Sequence, residues 1–216
     1  MTRWIEATEV ASLLAAIHYA IAMDRPPRTE PHSAIDATAR AVGAAKTIDR
    51  GRIVTGFLAG DAESYAWAAV APELLFKPVN YTHDHGVLAS IDNFVAINSA
   101  IEVDLFGQVN AEMIGGRQHS GTGGGLDFMR GAVRARGGRS IVAFAATAAR
   151  GTISRIVPAL AQGTVATALR TDADIFVTEY GAARVRHLDT EARARALIEI
   201  AAPEFRDALR DAWKRR

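Results

Sequence analysis

The chain has 216 residues, of which 49% are hydrophobic and 23% charged; at about 150 residues per domain this makes one to two domains with apolar content enough for a core, which excludes a disordered chain. It contains no cysteine, which excludes a disulfide framework, a thiolate nucleophile and Cys-ligated zinc. Lys and Arg number 25 against 24 Asp and Glu, so the net charge of +1 gives no electrostatic case for a nucleic-acid partner.

In chain order, residues 4–23 read as one amphipathic helix, with Ile5, Val10, Leu13, Leu14, Ile17 and Ile21 at three- and four-residue steps. Its apolar stretch, interrupted by Ser12, His18 and Tyr19, is too short to span a bilayer. Arg25-Pro26-Pro27-Arg28 follows where a signal peptide would carry small residues. A cytoplasmic chain without membrane contact is expected. Pro26, Pro27 and Pro31 end the helix and make 24–33 a loop. A second helix is expected from Ser33 or Ala34 to Ala45, with Ser33 as its N-cap.

From Gly51 the texture changes to strands alternating with helices. Strands are expected at 52–58, 75–79, 140–144 and 174–178, an apolar run at 94–97, and one or two strands within 103–114. Helices are expected at 62–71, 126–136, 191–201 and 203–213, the last with proline in a permitted first-turn position. Residues 81–86 read as a polar loop. This alternation predicts an α/β fold with a mainly parallel sheet, in one domain over 46–216 preceded by a helical segment and linker over 1–45.

Four segments could carry chemistry. Residues 115–128 hold six glycines before a helix start; glycine lets a ligand approach main-chain N–H groups, and N–H groups at a helix start bind anions or a developing oxyanion. A flexible surface loop is the competing reading. The spacing is neither a dinucleotide fingerprint nor a phosphate-binding loop with Gly-Lys-Ser/Thr. Glu102 and Asp104, two apart, share one side if extended, and paired carboxylates can do acid–base work or hold a metal. Hydrogen bonding to nearby backbone or arginine is the plainer alternative. Glu179 stands where an apolar strand ends before Gly181, and ligands gather at the carboxyl ends of parallel strands. His83-Asp84-His85 invites a metal, but spacing supplies no further ligands, so no metal is assigned. Gly-x-Ser-x-Gly is absent, and no Ser-His-Asp triad can be argued.

Taken in order, several stretches resemble the C-terminal domain of the acetyl-CoA hydrolase/transferase family. They are Gly51-Arg52-Ile53-Val54, Tyr81-Thr82-His83-Asp84, the run from Ile97 through Glu112, Gly123-Gly124-Gly125-Leu126-Asp127-Phe128, Gly151 through Pro158, Val177-Thr178-Glu179-Tyr180-Gly181 and Glu191 through Ile198. The resemblance covers the chain from about residue 46 to the end. It implies a CoA-transferase-like (NagB/RpiA-like) fold and movement of CoA between short carboxylic acids, or to water, through a glutamyl thioester. The CoA thioester is a substrate, and no cofactor is implied. The resemblance assigns Gly123, Gly124 and Gly125 to an oxyanion loop and Glu179 to a carboxylate near the acyl group. It places His83 at the substrate pocket and makes Asn98, Glu102 and Asp127 motif residues there.

Two departures stand out. Members of that family are about twice as long, with a homologous N-terminal α/β domain. Their nucleophilic Glu lies in a Gly-x-His-Thr-Glu pattern, whose nearest echo, Pro31-His32-Ser33-Ala34, puts Ala34 at the nucleophile; spacing does not support Glu30 as a replacement. Two alternatives to an acyl-CoA enzyme stay open. One is an inactive or split domain working by association, as a homodimer or with a separately encoded N-terminal half. The other is a glycine-rich frame for a different phosphorylated metabolite.

Overall fold

The computed structural model describes residues 46–58 and 61–216; the helices expected over 4–23 and 33–45 lie outside them. A βαβ unit comes first: β1 (Ile53–Thr55), α1 (Ala62–Val70) and β2 (Leu74–Phe76), with β1 and β2 parallel. The Asp61 side chain accepts from the Ser64 amide at 2.9 Å, which starts α1. The strand expected at 75–79 stops early, because Pro78 offers no ladder donor and begins α2 (Val79–Thr82). Asp84 then caps α3 (His85–Ala89) by accepting from the Val87 amide. The polar loop expected at 81–86 is therefore the junction of two short helices.

Next come β3 (Val95–Asn98), β4 (Glu102–Asp104), β5 (Val109–Asn110), β6 (Met113–Ile114) and β7 (Arg117–Gln118). The run 103–114 is thus broken into more, shorter strands than expected. Gly115 and Gly116, both at positive φ, turn β6 back on β7 in a hairpin. α4 (Gly125–Arg134) leads into β8 (Arg139–Ala143), and the short strands β9 (Thr147–Ala148), β10 (Ile153–Ser154) and β11 (Ile156–Val157) follow. The chain closes with β12 (Ile175–Thr178), β13 (Gly181–Arg184), α5 (Thr190–Glu199) and α6 (Pro203–Lys214). Pro203 starts α6 where its missing N–H costs nothing.

The central sheet has the order β13-β12-β8-β3, with β3, β8 and β12 parallel and β13 an antiparallel edge. A second sheet, β11-β4-β5, lies in the same core. Side chains alternate across the central sheet. On one face Val142, Phe144 and Phe176 join Leu105, Ile156, Leu197 and Leu209 in the main core. On the other, Ile141, Ala143 and Val177 pack with Ile97 and Ile175. Burial of each large apolar side chain contributes about 1.5–3 kcal/mol. α4 covers β3 and β8, and its Gly131 lets Leu88 of α3 close in. No helix among the described residues is long and apolar enough to cross a membrane.

Candidate functional site

Parallel β3, β8 and β12 bring their carboxyl ends to one edge, with Asn98 and Phe176 both opposite Val142. Three features meet where β3 ends. The chain enters α4 through Gly123, at φ +59°, and Gly124, the N-cap, which carries no side chain to cap the helix. The Asp127 amide donates to the Gly124 carbonyl at 3.1 Å. The amides of Gly125 and Leu126, in the first turn, have no acceptor within the helix. A cavity of about 170 Å³ opens there, lined by Asn98, Ser99, Thr122, Gly125, Leu126 and Thr167 among others.

Two side chains hold this turn closely. A Cβ on Gly124 would stand 1.9 Å from His83 Nε2, and one on Gly125 would stand 2.7 Å from Asn98 Oδ1. The imidazole and the amide therefore pack where only glycine leaves room. His83 Nδ1 is 2.8 Å from the Thr82 hydroxyl and its ring meets Phe128 edge-on at 4.9 Å. With the Thr82 hydroxyl donating to Nδ1, Nε2 carries the proton and faces the turn. Asn98 Nδ2 is buried without a hydrogen-bond partner among the described residues. An unmatched buried donor in a cavity wall is what an oxygen ligand would satisfy.

Glu179 sits just past β12 on the same edge. It is exposed, and its Oε2 accepts from the Ala146 amide at 2.8 Å. Strands in a sheet lie about 4.8 Å apart, so β8 separates the lines of Asn98 and Glu179 by about 10 Å. Arg155 approaches Glu179: burial pushes its guanidinium below the usual arginine value, and the Glu179 charge opposes that shift. Sequence reasoning assigned Arg155 no role, although it stands within one of the quoted motifs. It also missed Thr122 and Thr167, since threonine in a loop carries no distinguishing pattern.

The remaining acidic candidates are engaged elsewhere. Glu102 accepts from Asn110 Nδ2 at 3.0 Å. Asp104, fully buried, accepts from the amides of Phe106 and Gln108 and from the Gln108 side chain, and so builds the β4–β5 turn. Buried Glu112 accepts from Thr167 and Gln118. Asp127 lies 3.1 Å from His85 Nε2. His83 and His85 thus face different partners, and no group of three metal-binding side chains occurs among the described residues.

Residues 60–213 match the acetyl-CoA hydrolase/transferase C-terminal domain. The chain is 47% identical over 176 residues to butyryl-CoA:acetate CoA-transferase of Anaerostipes caccae, covering 80% of this chain and 40% of that protein. It is 43% identical over 171 residues to 4-hydroxybutyrate coenzyme A transferase of Clostridium kluyveri, covering 79% and 40%. Among solved structures, RipA from Yersinia pestis superimposes with a TM-score of 0.78 at 42% identity, over 84% of this chain and 41% of that one. The 4-hydroxybutyrate CoA-transferase of Porphyromonas gingivalis does so at 0.68 and 40% identity, over 81% and 40%. The chain therefore spans about two-fifths of the length of these relatives. Motif order, sheet topology and these likenesses agree: the chain belongs to the acetyl-CoA hydrolase/transferase family, over that family's C-terminal domain.

Proposed function

We propose that residues 46–216 form a C-terminal-type domain that binds the CoA thioester of a short carboxylic acid at the sheet's carboxyl edge and passes its CoA to a second carboxylate or its acyl group to water. The observation that carries this is the glycine turn, where Gly125 and Leu126 of the uncapped first turn line one small cavity with Asn98, whose amide is unmatched, while His83 Nε2 packs against Gly124. Such donors stabilise the oxyanion of a tetrahedral intermediate and so act mainly in the transition state. Similarity to a butyryl-CoA:acetate CoA-transferase and to a 4-hydroxybutyrate coenzyme A transferase supports this reading.

With water as acceptor, Glu179 takes a proton from water as the water oxygen bonds to the thioester carbon. The carbonyl electron pair moves onto oxygen, held by the turn's donors. Collapse restores the carbonyl, breaks the C–S bond, and the CoA thiolate recovers the proton from Glu179. With a carboxylate acceptor, Glu179 orients the acyl group. Glu102 and Asp127, bonded to Asn110 and His85, take no part in these steps. Purified chain is incubated with acetyl-CoA alone, following free thiol, and with added succinate, following formation of succinyl-CoA. Thiol release or succinyl-CoA formation is expected above that of a Glu179→Gln control; neither exceeding the control refutes the enzymatic reading.

A second reading, association with a partner half or a second copy, is favoured by one observation. Phe57, Val70, Phe76 and Val79 are exposed around the β1–β2 pair, 53–78% by area. A two-stranded parallel sheet is marginal without further cover. Light scattering tests this: a monomer at all concentrations, with no partner co-purifying, counts against it.

A further inference from the structure

Three loops form the carboxyl edge: 99–101 after β3, 144–146 after β8, and 179–180 after β12. One residue, Arg155, contacts or faces all three. Its Nε donates to the Ile101 carbonyl at 2.7 Å and its Nη2 donates to the Ala100 carbonyl. Its guanidinium lies 6.0 Å from the centre of the Phe144 ring. Its main-chain amide donates to the Ala146 carbonyl at 2.9 Å, and the Ala146 amide in turn donates to Glu179 Oε2.

We propose that Arg155 is a positioning residue that ties the Asn98 wall to the Glu179 wall of the acyl site. The inference rests on the reading of this edge as an acyl site. Ala146 is the relay: its carbonyl accepts from the main-chain amide of residue 155, which any side chain there leaves in place, and its amide holds the carboxylate that the guanidinium charge faces. The side-chain fork fixes the other wall, because Ala100 and Ile101 follow Asn98 within three residues. A guanidinium suits this task, since its planar fork reaches two adjacent carbonyls while its charge faces Glu179; a lysine has one point donor. Half-burial of the cation is costly unless it is compensated, and the carbonyl pair with the opposing carboxylate supplies that compensation.

The test compares wild type, Arg155→Lys and Arg155→Met by amide hydrogen exchange. Loss of one hydrogen-bonded constraint corresponds to roughly fivefold to tenfold faster local exchange. In both variants the Ile101 amide, whose own carbonyl loses the guanidinium fork, is expected to exchange faster by that factor; in Arg155→Met the Ala146 amide, whose Glu179 acceptor loses the facing charge, does so as well, while Leu197 in α5 keeps its protection. Where Arg155→Met loosens Leu197 as well, the lysine variant, which keeps charge and stem, decides. Unchanged exchange at Ile101 in both folded variants, or at Ala146 in folded Arg155→Met, overturns the proposal. In the thiol-release assay the lysine variant is expected to lower kcat with KM near wild type; a change in KM alone also overturns it. Wild-type chain without turnover would sink the acyl-site reading, and the exchange result would still decide whether Arg155 joins the walls.

Discussion

Replacing Gly124 by alanine tests whether the imidazole of His83 packs on the turn. Gly124 has φ −97° and ψ 5°, which alanine adopts without strain, so any penalty is steric. The new methyl would stand 1.9 Å from His83 Nε2 and 2.1 Å from Cδ2. Carbon contacts settle near 3.5–4.0 Å, so ring or turn must shift by roughly 1.5–2 Å. The ring is not free to do so, held by the Thr82 hydroxyl at 2.8 Å and by Phe128. Overpacking of this kind costs about 1–3 kcal/mol, and the strained hydrogen bond adds about 1 kcal/mol at most. Urea unfolding of wild type, Gly124→Ala, His83→Ala and the double variant measures the coupling. Once the ring is gone the methyl has space, so the double variant should be more stable than the sum of the singles predicts by about 1–2 kcal/mol. A stable Gly124→Ala, or additivity within about 0.5 kcal/mol, would show that the ring lies elsewhere.

Gly131 gives a second packing test. Alanine is the better residue in a helix interior by about 1 kcal/mol, yet a Cβ here would stand 2.4 Å from Leu88 Cβ. Gly131→Ala is expected to lower stability by about 1–2 kcal/mol in urea, because α3 must move off α4. A gain in stability would mean that the two helices are not closely packed. Asp92 gives a pH test: the hydrogen bond from Arg136 is the main cause that holds its carboxyl below the ordinary value. A lowered folded value means the pair stabilises above the unfolded value of about pH 4 and loses that contribution as pH falls through the folded one. The difference in unfolding midpoint between wild type and Arg136→Ala should be present at neutral pH, shrink in high salt and vanish in strong acid. A difference that persists in acid would belong to packing.

The elements legible in the sequence are those with a strong period or a strong stop. The strand over Ser140–Phe144, buried on both faces, and the helix over Pro203–Trp213, started by proline, emerge within a residue or two of β8 and α6. The short strands were not legible. β9, β10 and β11 are two residues each, too short to show alternation; β9 and β10 exist because a tight turn folds them onto each other, and β11 because the fold brings it beside β4, some fifty residues earlier. The glycine-rich segment looked like a single loop. The structure divides it into a hairpin at Gly115–Gly116 and the helix entry at Gly123–Gly125, two jobs with one composition. At the site, the motif residues His83, Asn98 and Gly124 are brought together, but their contact depends on α4 covering β3, which no local pattern encodes.

The acidic residues show why composition alone does not separate structural from chemical roles. Asp104 and Glu112 are buried, and each oxygen of both accepts a hydrogen bond, so their charge is spent on shaping turns. Glu179 is different in kind: it is exposed, one oxygen is held by a backbone amide, and an arginine lies near enough to act on its charge. A carboxylate that is held but not saturated keeps a lone pair for a proton while its direction is fixed, which general-base work requires. The histidines divide in the same way. His85 spends Nε2 on Asp127, whereas His83 binds Thr82 through Nδ1 and leaves Nε2 against the glycine turn. In each set the residue with capacity left over, Glu179 or His83, faces the carboxyl edge, and the proposed thioester site draws on that leftover capacity.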